Sequence, residues 1–215
     1  ISKSMSNEHS ITRYLAQMER ITREMPIRDI DCAIDMLHDA WTRGKTVFVM
    51  GNGGSASTAT HLACDLAKYA IVGDKPRFKV MGLTDNIPLV SAWTNDNGFG
   101  SIFVEQMRPW LKEGDVLIGI SVHGGSGRGR AGLWSQNLVQ AMALGKERGA
   151  KIIGLSGFNG GAMKEMADIC IVVPIDKEPL GTPLVESWHV VLHHLICFTL
   201  RQRIERNGRT KRVRS

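Results

Sequence analysis

Thr46-Val47-Phe48-Val49-Met50-Gly51-Asn52-Gly53-Gly54-Ser55-Ala56-Ser57-Thr58 decides how this chain is read. Its first five residues are apolar and β-branched, the composition of a short buried strand. The segment that follows, Ala59-Thr60-His61-Leu62-Ala63-Cys64-Asp65-Leu66-Ala67-Lys68, reads as a helix. Strand, glycine-rich turn and helix together lay out an anion site. Glycine lets the backbone come close to a ligand, and the free N–H groups at a helix start point at it. Asn52, Ser55, Ser57 and Thr58 add side-chain donors. No Gly-Lys-Ser/Thr follows, so the turn is not a P-loop, and its glycine spacing is not that of a dinucleotide fingerprint. The plainer alternative is a polar strand-to-helix turn capped by serine.

Outward from this stretch, strands and helices alternate. Amphipathic spacing predicts a helix over 6–24, with Ile11, Leu15, Met18 and Ile21 near one face, and a second over 29–42 through Ile30, Ala33, Ile34, Leu37 and Trp41. Strands are expected at 46–50, 78–83, 115–120, 151–156 and 168–174. Helices are expected at 56–69, 87–93, 102–111, from near Leu133 to Arg148, at 162–167, and as one long span over 184–206. Asn95-Asp96-Asn97-Gly98-Phe99-Gly100 reads as a loop. Such alternation builds βαβ units and a parallel sheet. The expected fold is α/β: one domain with a five-stranded parallel sheet flanked by helices, a three-layer flavodoxin-like or Rossmann-like sandwich. Its parts are N-terminal helices (6–43), an α/β core (46–174) and a C-terminal helix (184–206), followed by a basic tail (207–215). Ile1-Ser2-Lys3-Ser4 ahead of Met5 reads as a cloning remnant, which sets residues 1–5 apart.

Composition is that of an ordinary globular protein, 43% hydrophobic and 22% charged in 215 residues. No apolar run is long enough for a transmembrane helix, and the first residues have no signal-peptide pattern. The net charge of +6 sits in Arg201–Ser215, where seven Arg or Lys face one Glu, so the rest of the chain is neutral. A neutral body argues against a nucleic-acid surface. The tail reads as a solvated, frayed helix end or, alternatively, a contact for nucleic acid or an acidic partner. Cys32, Cys64, Cys170 and Cys197 form no CxxC pair and lie in apolar segments. They are expected to be buried thiols in a reducing compartment, which points to the cytoplasm.

Ligands of parallel sheets sit at the carboxyl ends of strands. Ser121-Val122-His123-Gly124-Gly125-Ser126-Gly127 ends the third strand as Gly51–Thr58 ends the first, so the two turns converge on one ligand. The first turn carries no Lys or Arg, which fits a phosphorylated small molecule held by N–H groups, hydroxyls and helix dipoles. On the helix after that turn, His61 and Asp65 share a face at i, i+4, either as a surface pair or as two metal ligands. The apolar C-terminal helix carries Glu186, His189, His193 and His194. Polar groups in such a helix are costly unless paired or ligated. Helical spacing puts Glu186, His189 and His193 near one face, with His194 about 80° from Glu186. These histidines either pack at a helix or subunit interface or ligate.

Gly51-Asn52-Gly53-Gly54-Ser55-Ala56 with His61 and Asp65 resembles the sedoheptulose-7-phosphate (phosphoheptose) isomerases of the sugar-isomerase-domain superfamily. Trp93–Phe99, Glu113–Ser121, Gly154–Gly157 with Gly160-Gly161, and Glu186–His194 resemble that family's later segments in order, over about residues 30 to 200. The resemblance implies that Asn52, Gly53, Ser55, Ser121, Val122, His123 and Ser126 hold the phosphate and nearby hydroxyls, with Glu186 beside them, and that Asp96 touches the sugar. It implies a zinc site of His61, Asp65, Glu186 and His194, selecting His194 over His193. Three positions depart from the family pattern: Asp65 stands where Glu is usual, Glu186 where Gln is usual, and His123 and Gly125 where Ser and Asn are usual.

The implied reaction is ketose–aldose isomerisation of a sugar phosphate through an enediolate, sedoheptulose 7-phosphate being the implied substrate. Asp65 is the expected base and His194 the expected acid. No organic cofactor is needed. A homotetramer with sites at subunit interfaces is implied, with Trp188, Phe198 and the first two helices supplying apolar surface; membrane and nucleic acid are not expected partners. Two alternatives stay open: an isomerase for another sugar phosphate, and a non-catalytic regulator of the same fold, of the kind that binds a replication initiator.

Overall fold

The computed structural model describes residues 6–125, 135–175 and 177–212, with side chains to residue 206. Its elements run α1 (Asn7–Glu24), α2 (Ile27–Thr42), β1 (Thr46–Gly51), α3 (Gly54–Cys64), a π turn (Asp65–Tyr69), β2 (Lys79–Gly82), α4 (Ile87–Asn97), a 3-10 turn (Phe99–Ser101), α5 (Ile102–Met107), β3 (Val116–Ile120), α6 (Gln136–Glu147), β4 (Lys151–Gly157), α7 (Gly161–Met166), β5 (Ile169–Val173) and α8 (Gly181–Arg212). Local chemistry marks several ends. Ser6 caps α1 by accepting from His9 N at 3.2 Å, and Asn86 caps α4 by accepting from Leu89 N at 3.1 Å.

All five strands are parallel, in the order β2-β1-β3-β4-β5. Every strand residue of β3 is buried, as expected of a parallel sheet covered on both faces. Strand alternation divides β1 between two cores. Val47 and Val49 meet α1, α2, α3 and α8, while Phe48 and Met50 meet the layer of α5, α6 and α7. On α8, Leu184, Trp188, Leu192, Ile196, Leu200 and Ile204 recur every four residues and are all buried. At about 1.5–3 kcal/mol for each large apolar side chain removed from water, this row fixes the helix against the sheet. Strand order reverses between β1 and β3, so a crevice opens there at the carboxyl ends of the strands.

Several expectations shift. The loop expected at Asn95–Asn97 is the last turn of α4, which stops at Gly98 with φ 83°. The helix expected over 56–69 starts earlier, at Gly54, and changes to a π turn at Asp65. The helix at 102–111 ends at Met107, and α8 extends from Gly181 to Arg212, beyond the expected 184–206. Of the apolar face of α1, Ile21 is buried, but Ile11 and Leu15 are 59% and 61% exposed, because no element among the described residues covers them. Trp188 lies in the core rather than on a surface. Cys197 is buried, but Cys32 and Cys64 are exposed: they sit on the outer faces of α2 and α3, so an apolar neighbourhood in sequence did not make them core. Residues 1–5, the side chains of the tail 207–215, and the region where the sixth helix was expected to begin, near Leu133, lie outside the described residues. Among the described residues, no helix is long and apolar enough to cross a membrane.

Candidate functional site

The first turn is built by glycine. A Cβ on Gly51 would lie 2.4 Å from Ser55 O, so no side chain fits where β1 passes under α3. Gly53 turns the chain at φ 56°. Ser55 then lies buried in the first turn of α3. Asn52 points to the second turn, where its amide exchanges two hydrogen bonds with Asn137 at the start of α6: Asn52 Nδ2 donates to Asn137 Oδ1 at 2.9 Å, and Asn137 Nδ2 donates to Asn52 Oδ1 at 2.8 Å.

The second turn hangs on the next strand. Ser121 N donates to Leu155 O at 3.0 Å, Gly157 N to Val122 O at 2.9 Å, and Met163 N to Gly124 O at 2.8 Å. His123 packs its ring on Phe158, centroids 4.4 Å apart. Between the two turns is a cleft lined by Asn52, Ser55, Ser121, Val122, His123 and Glu186, with Ser135 at its rim. No Lys or Arg lines it among the described residues, so an anion there is met by hydroxyls, amide groups, the α3 N-terminus and the His123 ring. Glu186 enters from the first turns of α8, and its carboxylate rests on the first residue of α3: a Cβ on Gly54 would lie 2.5 Å from Glu186 Oε1.

A second constellation lies further along α3 and α8. His61, Asp65, His193 and His194 each offer one ligand atom within 4.8 Å of the others. Asp65 Oδ2 is the hub, 3.3 Å from His193 Nε2, 3.7 Å from His194 Nε2 and 3.8 Å from His61 Nε2. Asp65 opens the π turn, a wide-turn insertion of the kind found at ligand sites. His193 is fully buried, while His61 and His194 are about half exposed, at 48% and 52%, which leaves an approach from solvent. Neither ring nitrogen of His193 makes a hydrogen bond; the 3.3 Å approach to Asp65 is close but lacks hydrogen-bond direction. Burial, and then repulsion from His194 and His61, hold the His193 pKa down to about 4 against the opposing pull of Asp65. The ring is therefore neutral at pH 7, the form that ligates metals. Three imidazole nitrogens and one carboxylate oxygen form a donor set suited to a zinc-type divalent ion.

The structure thus brings Asn52, Ser55, Ser121, Val122, His123 and Glu186 to one cleft, with Gly53 shaping its floor, and His61, Asp65 and His194 to the cluster. His193, which helical spacing favoured over His194, joins the cluster beside it. Within one chain Glu186 does not belong to that group; it stands in the cleft. Asp96 is exposed on the last turn of α4, accepts from Asn95 Nδ2 at 2.7 Å, and does not line the cleft of its own chain. Ser126 lies outside the described residues. Sequence reasoning missed Asn137, whose partner is 85 positions away, and Phe158, held at φ 53° under His123. No local pattern marks either.

The SIS domain family matches residues 10–157. The lincomycin biosynthesis protein LmbN of Streptomyces lincolnensis is 43% identical over 187 residues, covering 87% of this chain and 67% of that protein. The phosphoheptose isomerase of Geotalea daltonii is 36% identical over 187 residues, covering 87% of this chain and 90% of its own. Among solved structures, phosphoheptose isomerase GmhA from Neisseria gonorrhoeae superimposes with TM-score 0.78 at 25% identity, over 92% of this chain and all of that one. A phosphoheptose isomerase from Francisella tularensis gives TM-score 0.79 at 25% identity, over 92% of this chain.

Proposed function

The chain belongs to the phosphoheptose isomerase family of SIS-domain proteins, and from that membership we propose that it is an aldose–ketose isomerase interconverting sedoheptulose 7-phosphate and D-glycero-D-manno-heptose 7-phosphate. One observation carries the reading: two serine- and glycine-bearing turns meet at the β1/β3 switch point beside a His–Asp cluster. Ser55, Ser121 and His123 bind the phosphate end and its nearby hydroxyls. Asn52 fixes the first turn through Asn137, and its amide is committed to that pair. His61, Asp65, His193 and His194 hold a divalent ion, zinc by their chemistry, which when bound polarises the substrate oxygens and stabilises negative charge.

The isomerisation itself is a proton relay. A carboxylate takes the proton from the carbon beside the carbonyl, an enediolate forms, and the proton returns to the neighbouring carbon. Asp65 in the cluster and Glu186 in the cleft are the carboxylates at hand. The exposed apolar residues of α1 and α8 support assembly with further copies of the chain, a homotetramer by the family resemblance, in which a neighbour's Asp96 reaches the cleft. The identity of the named isomerases favours catalysis over a purely regulatory role.

A second reading, isomerisation of a different sugar phosphate, is favoured by one fact: LmbN, named for antibiotic biosynthesis, is 43% identical to this chain, against 36% for the Geotalea isomerase. The test is to incubate zinc-loaded protein with sedoheptulose 7-phosphate and with shorter and longer ketose phosphates and to follow aldose formation by NMR. Aldose from the seven-carbon sugar supports the first reading, and aldose only from another chain length supports the second. No aldose from any sugar would sink both.

A further inference from the structure

The amino ends of β1, β2 and β3 border a second cavity, of about 460 Å³. It lies at the opposite edge of the sheet from the cleft, since β1 and β3 begin beside it and end at the two glycine turns. Its chemistry is also opposite. The cleft has no Lys or Arg among the described residues, whereas this cavity is lined by Arg43, Lys45, Lys79 and Lys112 against the single carboxylate of Asp115.

The local fold forces these cations together. Gly44, at φ 62°, turns the chain from α2 into β1 between Arg43 and Lys45. Gly114, at φ 80°, leaves open the space into which both side chains reach: Lys45 Nζ and Arg43 Nη2 each lie within 3.3 Å of the point where a Cβ on Gly114 would be. Two like charges sharing so small a space repel unless an anion joins them. Asp115 does little to offset this. It is 3% exposed, and its two oxygens accept from Thr46 N at 2.9 Å and from Lys112 N at 2.8 Å, so it fixes the backbone of the cavity floor. Lys45 Nζ donates to Glu113 O at 2.6 Å and Lys79 Nζ to Gly44 O at 3.1 Å. These main-chain contacts hold the ammonium groups in place without neutralising them. Arg43 pairs with Asp39 through Nη1 at 3.2 Å, across a solvent-exposed contact worth little. Among the described residues, no carboxylate forms an ion pair with Lys45, Lys79 or Lys112.

An aromatic surface completes the wall. Trp110 is 59% exposed, and its backbone is held by a bond from Trp110 N to Met107 O at 2.8 Å. An open indole face stacks on planar rings, and arginine and lysine heads meet phosphate oxygens. The volume is in the range of small-molecule sites and larger than a lone phosphate needs. We propose that this cavity binds a nucleoside di- or triphosphate, with the phosphates on Arg43, Lys45, Lys79 and Lys112 and the base on Trp110. The site is separate from the cleft and does not depend on the isomerase reading.

The test uses the full chain without magnesium at about 50 mM salt, where surface charges are weakly screened. ADP, pyrophosphate and adenosine are titrated by calorimetry and by tryptophan fluorescence. ADP should bind saturably below about 1 mM and quench the fluorescence, with pyrophosphate at least about tenfold weaker and adenosine weaker still. Trp110→Ala should weaken ADP binding by about 5- to 150-fold, the range for loss of one base–aromatic stack, and leave pyrophosphate binding within about twofold. Lys112→Glu alters a side chain with no partner among the described residues, so the fold should persist by circular dichroism. It should weaken ADP and pyrophosphate together by about tenfold or more. Lys79→Glu should do the same. Equal affinity for ADP and pyrophosphate would overturn the nucleotide assignment. So would ADP binding that none of these variants weakens, which would locate it elsewhere, or no ADP binding at all. A single-stranded oligonucleotide binding more tightly than ADP, with the same sensitivity to Lys112→Glu, would replace the nucleotide by nucleic acid.

Discussion

His189 sits in the middle of α8 with no exposure to solvent and no hydrogen bond to either ring nitrogen. Burial lowers its pKa from 6.5 to about 4, and the Ser156 main chain offsets this only in part. Below pH 6.5 the unfolded chain takes up a proton that the folded chain refuses until about pH 4. The stability that depends on this neutral ring is therefore complete above pH 6.5 and lost as pH falls toward 4, to the extent of about 3 kcal/mol. In urea titrations of metal-free protein, His189→Leu should flatten the pH dependence over this window, leaving the part due to His193, which titrates in the same direction. An unchanged slope would show that His189 is not the buried neutral ring described here. Asn137 makes a second residue-scale prediction. It is buried and satisfies the Asn52 amide twice. Asn137→Ala should lower stability by about 1–3 kcal/mol and raise KM by loosening the first turn; a wild-type KM would mean that the amide pair does not position the site.

The turn after β3 works as a unit because it is clamped to the turn after β4. Gly124 has φ 72°, and a Cβ there would lie 1.8 Å from Gly160 O. Backbone meets backbone at that point, so no side-chain movement relieves the clash. Gly124→Ala should cost on the order of 3 kcal/mol and displace Ser121 and His123 together, seen as a lower urea midpoint and a higher KM. A stable variant with normal KM would argue against the clamp. The helix pair α3 and α8 is the other working unit. The π turn at Asp65–Tyr69 holds Asp65 against α8, where the adjacent residues His193 and His194 both reach it. An ideal straight helix separates adjacent residues by about 100°, yet both imidazoles come within 3.7 Å of one carboxylate oxygen.

For the whole molecule, the proposed metal site predicts a link between metal binding and stability. Zinc at about 100 times its dissociation constant should stabilise the folded chain by about 2.7 kcal/mol, and a strong chelator should remove that increment and lower the melting temperature. An unchanged melting temperature would mean that the cluster does not bind the ion in the native state. Large apolar side chains also remain at the surface: Ile11 and Leu15 on α1, and Val191, Leu195 and Phe198 on α8. Exposed apolar groups of this size mark interfaces. If the proposed homotetramer packs through these residues, Leu15→Glu combined with Leu195→Glu should give single chains on sedimentation with the far-UV circular dichroism unchanged; a sedimentation coefficient equal to that of the unaltered protein would argue against an interface here.

Local rules legible in the sequence cover most of the architecture. Apolar strands, glycine-marked turns and amphipathic helices were enough to read a five-stranded parallel sheet, and the repeated Ser/Gly turn at two strand ends was enough to bring Asn52, Ser55, Ser121 and His123 together. His61 and Asp65 were a visible pair because i, i+4 neighbours share a helix face whatever surrounds them. Tertiary structure alone decided the rest. Sequence spacing carries no information about how two distant helices are rotated against each other, so it could not say that His193 and His194 both face Asp65 while Glu186 faces the cleft. Nor could it join Asn52 to Asn137, or uncover Cys32, Cys64 and the outer face of α1. Those outcomes depend on which surfaces the folded chain brings into contact, and packing of the whole molecule sets them rather than the propensity of any one segment.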